Sequence, residues 1–323
     1  MKLAGGGNLP AIRLRAPKYF ELLYAASRRL LVKFLRRLVE LTLVENRVVR
    51  IDFRETLKFY SDGTLLFYAE LQRILKRRPK SVWCYPPREP VAQQVLSHLQ
   101  LFDQMGCRKV ILSDRDDVTH WETFFGTEAD ATKGMGQAIA NLPMLPQTQL
   151  GKLFRSVSEA LTNVTQHAYF EPRRDGTGIS PEKGWWMFVR QEPDELTVVF
   201  CDLGLGVPYT VPKLEKHASW LPRRLASVLR AIGVHTHQDG ETIQVTVEEK
   251  RSRFKAEHRG NGFANIIETI SAAGTGRVMI YSNRGAYVYS LREGKESQRA
   301  YNYESSIHGT VVAWHIMLPK ESK

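Results

Sequence analysis

Glu159, Asn163 and His167 recur at four-residue steps within 150–168, a segment in which Leu153, Val157, Leu161 and Val164 make an apolar stripe. Residues three and four apart share a helix face, so one helix would present a carboxylate, a carboxamide and an imidazole in a row. A carboxylate so placed can take a proton from water or a hydroxyl, and a carboxamide oxygen can ligate a hard cation. The same ladder also describes an ordinary solvated helix face, so its meaning depends on what surrounds it.

A second set begins where the apolar run 196–201 ends in Asp202-Leu203-Gly204-Leu205-Gly206. A carboxylate at a buried strand end can accept a proton from an exocyclic amine, and alternating glycines let the backbone turn tightly and approach a flat ligand. Arg259-Gly260-Asn261-Gly262-Phe263 then opens a helix expected to run to about 272, with glycines where free backbone N–H groups favour phosphate. The spacing is neither that of a P-loop nor that of a dinucleotide fingerprint. His308-Gly309-Thr310 leads into a last strand over 311–317.

In this order the four segments resemble the GHKL family of ATP-binding proteins, with residues 150–168 similar to its N box, Asp202 to Gly206 to its G1 box and Gly260 to Gly262 to its G2 box. Gly309-Thr310 resembles the last phosphate-side motif. The run Ser158-Glu159-Ala160-Leu161-Thr162-Asn163 with His167-Ala168-Tyr169 is most similar to anti-sigma-factor serine kinases. The resemblance implies ATP and Mg²⁺ as ligands. It implies that Asn163 coordinates the metal, that Asp202 binds the adenine amine and that Glu159 is the catalytic base. Gly204, Gly206, Arg259, Gly260 and Gly262 would frame the nucleotide, and Thr310 would lie near the base or its water. His167 is either a packing residue or part of the nucleotide site. Two features depart from the pattern: Gln166 stands where many relatives carry a cation, and the segment 207–259 is long, with a helix expected near 220–232. Such an insertion reads as a lid or partner surface. Its cations Lys250, Arg251, Arg253, Lys255 and Arg259 would either reach the γ-phosphate or form a solvated loop, and His235, His237 and Asp239 read as polar loop rather than metal site.

The elements that must position these residues follow from periodicity. Strands are expected at 185–190, 196–201, 276–281, 286–291 and 311–317. Upstream, 48–53, 81–85 and 109–112 read as strands and 64–76 and 91–105 as helices, an alternation that argues a mainly parallel α/β layer. Ile51-Asp52-Phe53 followed by Phe59-Tyr60-Ser61-Asp62-Gly63 and a helix resembles the STAS fold. In STAS switches the phosphorylated serine precedes the turn glycine, a place held here by Asp62, with Ser61 adjacent. Leu23, Ala26, Leu30, Phe34, Leu38 and Leu41 make an amphipathic helix from about 17, whose other faces carry Arg28, Arg29, Lys33, Arg36 and Arg37.

The expected organisation is a flexible lead over 1–16, a basic helix with a STAS-like α/β domain over 17–130, a linker over 131–148 and a GHKL, or Bergerat-type, α/β sandwich over 149–320. Lys and Arg number 46 against 34 Asp and Glu, a net charge of +12 that favours anionic partners. The 3 cysteines show no C-x-x-C spacing, and no apolar run is long enough to cross a membrane, so a cytoplasmic, reducing setting is expected. Together these imply an ATP-binding regulatory protein that hydrolyses ATP slowly; a serine kinase acting on a STAS-like partner and a non-catalytic scaffold are the alternatives. Expected partners are a STAS-type or sigma/anti-sigma-like protein and, through the basic helix, nucleic acid. The sequence is also compatible with an oligomer.

Overall fold

The computed structural model describes residues 10–107, 121–127, 147–179, 183–210, 238–254, 267, 269–271 and 273–318. The protein is a mixed α/β structure with one parallel and one antiparallel main sheet.

The chain begins with β1 (Ile12–Arg15), β2 (Tyr19–Phe20), α1 (Ala25–Val39), β3 (Val49–Asp52), β4 (Lys58–Phe59), α2 (Ser61–Arg77) and β5 (Val82–Tyr85). Strands β1, β3 and β5 form a parallel sheet in that order, and β2 pairs with β4. The expected flexible lead is therefore corrected over its last residues: β1 hydrogen-bonds in register with β3, and Arg13 forms an ion pair with the buried Asp52. The basic helix is corrected too. It starts at Ala25, and its buried face runs through Arg28, Leu31, Leu35 and Leu38, leaving Leu30 52% exposed. The helix expected over 91–105 is two, α3 (Pro90–His98) and α4 (Leu101–Gln104), broken where Gln100 adopts a left-handed backbone (φ 55°). Cys84, Cys107 and Cys201 are free thiols; Cys84 and Cys107 hydrogen-bond to each other, and Cys201 is buried. The strand expected at 109–112 and the helix at 220–232 lie outside the described residues.

The second sheet comprises β6 (Trp121–Gly126), β7 (Trp185–Gln191), β8 (Glu195–Asp202), β9 (Gly276–Ser282), β10 (Gly285–Arg292), β11 (Lys295–Asn302) and β12 (Thr310–Met317). Its order is β11-β10-β9-β12-β8-β7-β6, antiparallel throughout. Helices α5 (Gln147–Asn163), continued by a π-helical turn at Val164–Ala168, and α6 (Asp239–Phe254), with a second π-helical turn at Glu40–Val44 that continues α1, join these strands. β6 falls before the expected boundary near 131, yet it is the edge strand of this sheet. Within the segment expected as a lid, α6 is a core helix: Ile243 and Val247 are fully buried against the sheet.

Both faces of the large sheet are covered. Met187, Val198, Phe200, Val312 and Trp314 face a core shared with Leu153, Val157, Leu161 and α6. The alternate residues Phe188, Val199, Cys201, Tyr281, Val311 and Ala313 join the core formed by α1 and α2. Antiparallel sheets commonly leave one face to water and alternate apolar with polar residues. Here the N-terminal half takes that place, so the strands carry continuous apolar runs and α2, which crosses β7, β8 and β12, is buried along most of its length.

Candidate functional site

The site is built where the C-terminal end of α5 meets the turn after β8. The backbone N–H of Leu205 donates to the Ala168 carbonyl at 2.9 Å, which closes the π-helical turn onto the glycine loop. Gly204 lies so close to Ala168 that a Cβ would collide with its carbonyl oxygen and methyl group. Gly206 has φ +81°, and a Cβ there would stand 2.5 Å from the Asn283 amide nitrogen. Both positions demand glycine for close backbone approach. Tyr169 locks the junction from beneath: its buried hydroxyl donates to the Gly184 carbonyl at 2.6 Å and accepts from Leu203 N–H at 3.0 Å.

Asp202 ends β8 directly opposite Thr310 of β12 and is 5% exposed. Its carboxylate accepts from Gly204 N–H at 2.8 Å and from the Thr310 hydroxyl. Burial raises its pKa to about 6, against those two hydrogen bonds and Arg173, which favour the charged form. Thr310 is in turn within 3.1 Å of the Ser282 hydroxyl, and Ser282 Oγ accepts from Val207 N–H at 2.9 Å. Gly309 crosses over Asp202 so tightly that a Cβ would strike the Asp202 carbonyl oxygen. The result is a buried carboxylate enclosed by tightly packed glycine turns and already accepting two hydrogen bonds.

Along α5, Glu159, Asn163 and His167 are all half-buried. The Asn163 amide nitrogen is buried with no partner, an unspent donor of the kind an acceptor group on a ligand would satisfy. Among the described residues no three His, Cys, Asp or Glu side chains gather as a metal site. Asp239 instead accepts from Arg284 N–H at 2.8 Å at the start of α6, while His235 and His237 lie outside the described residues.

The structure thus brings Ala168, at the end of the α5 row, against the turn of Gly204 and Leu205 and sets Asp202 opposite Thr310, while Asn163 and Glu159 lie further back along the helix. Arg259, Gly260 and Gly262 lie outside the described residues, as does Lys255; Lys250, Arg251 and Arg253 belong to α6. Ser282 and Asn283 were not singled out in the sequence, and Tyr169 only as part of the motif after Asn163, although all three hold the recess around Asp202 in shape. Asn283 was the most legible of them, since an Asn at a two-residue turn between strands tolerates the left-handed conformation it adopts (φ 50°).

The recess is also tied to the N-terminal half. Arg28 of α1, fully buried, donates to the Asn283 carbonyl at 2.7 Å, and Asn283 Nδ2 donates to the Leu205 carbonyl at 2.8 Å. Arg173 donates from Nε to the His308 carbonyl at 2.5 Å and from Nη2 to Glu70 of α2 at 2.6 Å. Asp62 is buried against Tyr281 of β9 and accepts from Gly63 N–H at 2.6 Å.

Comparison of the chain with known protein families finds no match, and comparison with curated proteins finds none either.

Proposed function

We propose that the chain is an ATP-binding regulatory protein whose 149–320 segment takes Mg-ATP in the manner of GHKL proteins. The convergence at Asp202 supports this reading most strongly: a buried carboxylate flanked by Gly204, Gly206 and Gly309, facing Thr310, with the α5 row ending at His167, one residue before the Ala168 contact. In this reading Asp202 accepts the adenine amine, Thr310 orients the carboxylate, and Gly204 and Gly206 let the backbone lie against the base. Asn163 and His167 would line the path toward the phosphates, with Asn163 the residue that would hold the metal. Mg-ATP, when bound, supplies a γ-phosphoryl group open to attack. Glu159, one turn before Asn163, takes the proton of the attacking water.

A second reading, a serine kinase, is constrained by Asp62. Its side chain is buried under β9 and bonded to Tyr281, so the chain's own STAS-like segment does not offer the usual acceptor position. A kinase activity would act on a separate STAS-type protein. The exposed Arg29, Lys33 and Arg36 give α1 a basic outer side suited to an anionic partner surface.

Incubation with γ-labelled ATP and Mg²⁺, with and without candidate partners, tests these readings. Slow release of labelled phosphate from the protein alone supports the first, and label on a partner serine supports the second. Absence of nucleotide retention, release and transfer contradicts both and leaves a non-catalytic scaffold.

A further inference from the structure

Arg28 and Arg173 are buried cations that the nucleotide reading does not use. Burying an arginine costs several kcal/mol unless its hydrogen bonds are met, and an apolar side chain would fill either place more cheaply. Each guanidinium spends part of its donor set on the backbone of the same small region. Arg28 gives Nη2 to Asn283, with Nη1 toward the Leu22 carbonyl and Nε without a hydrogen bond among the described residues. Arg173 gives Nε and Nη2 to His308 and Ile307, with Nη2 also on Glu70 and Nη1 without a hydrogen bond among the described residues. Arg28 grips the carbonyl of Asn283, lies 4.1 Å from the centre of the Tyr303 ring, and keeps its charge because burial lowers its pKa only to about 10. Asn283 passes the restraint on: its side chain holds the Leu205 carbonyl between Gly204 and Gly206, and its N–H holds the Gly309 carbonyl at 3.1 Å. Arg173 grips the carbonyls of Ile307 and His308, the two residues before Gly309, and is itself clamped by Glu70 of α2.

Two chains of contact therefore run from separate helices of the N-terminal half to opposite sides of the Asp202 recess. One goes from α1 through Arg28 and Asn283 to the glycine loop, and the other from α2 through Glu70 and Arg173 to His308 and Gly309. We propose that α1 and α2 are a regulatory layer of the nucleotide site, and that Arg28 and Arg173 are positioning residues that couple the seating of these helices to the shape of the adenine recess. This rests on the reading of Asp202 as the adenine acceptor. Coupling of this kind is reciprocal: whatever shifts α1 or α2 changes nucleotide affinity, and nucleotide changes the dynamics of α1 and α2 by the same free energy. A partner docked on the outer side of α1 would thereby control ATP binding without touching it.

The test uses the full chain, calorimetry with adenosine, ADP and Mg-ATP, and hydrogen exchange. Loss of one charge-assisted bond should weaken all three ligands by a common factor of about ten in Arg28→Lys, because the contact serves the base end. The Mg²⁺-dependent gain in ATP affinity should stay at its wild-type ratio. A purely structural arginine would lower the melting temperature and leave the affinities of the folded protein unchanged. In the wild type, adenosine should slow amide exchange in α1 and α2, a measurement that holds even where the variant fails to fold. Wild-type binding with no protection in α1 or α2, or a folded Arg28→Lys with unchanged adenosine affinity, overturns the proposal and leaves the adenine reading standing. Failure of the wild type to bind any of the three ligands overturns both.

Discussion

Thr310 stands directly opposite Asp202 in the β8–β12 ladder, and its hydroxyl hydrogen-bonds to the Asp202 carboxylate inside the core. The pairing fixes where the carboxylate points and leaves its charge expensive, since burial outweighs the two hydrogen bonds that favour ionisation.

A pH dependence follows. The ionised carboxylate is the form that accepts an amine proton, and its pKa in the free protein is about 6. Adenosine affinity should therefore be flat above pH 7 and fall as pH drops through 6, by about tenfold per unit at the limit. Adenosine is the right probe, because a phosphate titrates in the same window. Calorimetry from pH 5 to 8 checks this, and a flat profile contradicts the assignment of Asp202.

Stability should move the opposite way. A folded-state pKa of about 6 against an ordinary 3.8 means that the native state binds more protons than the unfolded state between those values. Stability then falls as pH rises through that window, by roughly 3 kcal/mol as an upper figure at 1.36 kcal/mol per unit. Asp202→Asn removes the titration and keeps an acceptor for Gly204 N–H. It should melt higher than the wild type above pH 7 while losing adenosine binding, an opposition that thermal melts and calorimetry read together.

On α5 the two polar positions separate metal from base. Asn163→Ala should abolish most of the difference between ATP affinity with and without Mg²⁺. Glu159→Gln should retain Mg-ATP while turnover falls by roughly 10²–10⁴. Wild-type turnover in Glu159→Gln removes Glu159 from the chemistry, and a full Mg²⁺ effect in Asn163→Ala removes Asn163 from the metal.

At the interface between the halves, Glu70 is held down to about 2: burial would raise its pKa, but Arg173 and Arg73 overcome it. A depressed carboxylate contributes stability that is present above its ordinary value of 4.5 and lost as pH falls through 2. Glu70→Gln leaves two buried guanidinium groups short of a counter-charge and should destabilise by about 3–5 kcal/mol. The acid limb of the stability profile should become shallower, as chemical denaturation from pH 2 to 7 will show.

The strands of the second sheet were legible because their apolar runs are long, and two of those runs also carry the mark of a second covered face. Val198-Val199-Phe200-Cys201 and Val311-Val312-Ala313-Trp314 are apolar at every position, which an antiparallel strand needs only when both faces are covered. The shared core of the two halves was written there. β11 was missed because Lys295–Asn302 is a polar edge strand, mostly exposed, though Glu293-Gly294 with both φ positive marks its hairpin turn. β1 was missed because Ile12–Arg15 alternates apolar and basic residues over a length too short to show a period. Arg28 was unreadable for a different reason: an arginine in a basic helix reads as solvated, and its burial depends on the carbonyl of Asn283, far away in sequence.

The central claim, that Asp202 is the adenine acceptor of an ATP site, is tested most directly by calorimetric titration of Mg-ATP into the wild type and Asp202→Asn at pH 7.5. A charged hydrogen bond contributes about 1.5–3 kcal/mol, so the account predicts saturable binding to the wild type and an affinity about ten- to a hundredfold weaker in the variant. Equal affinity in the two proteins, or no binding to the wild type, would contradict it.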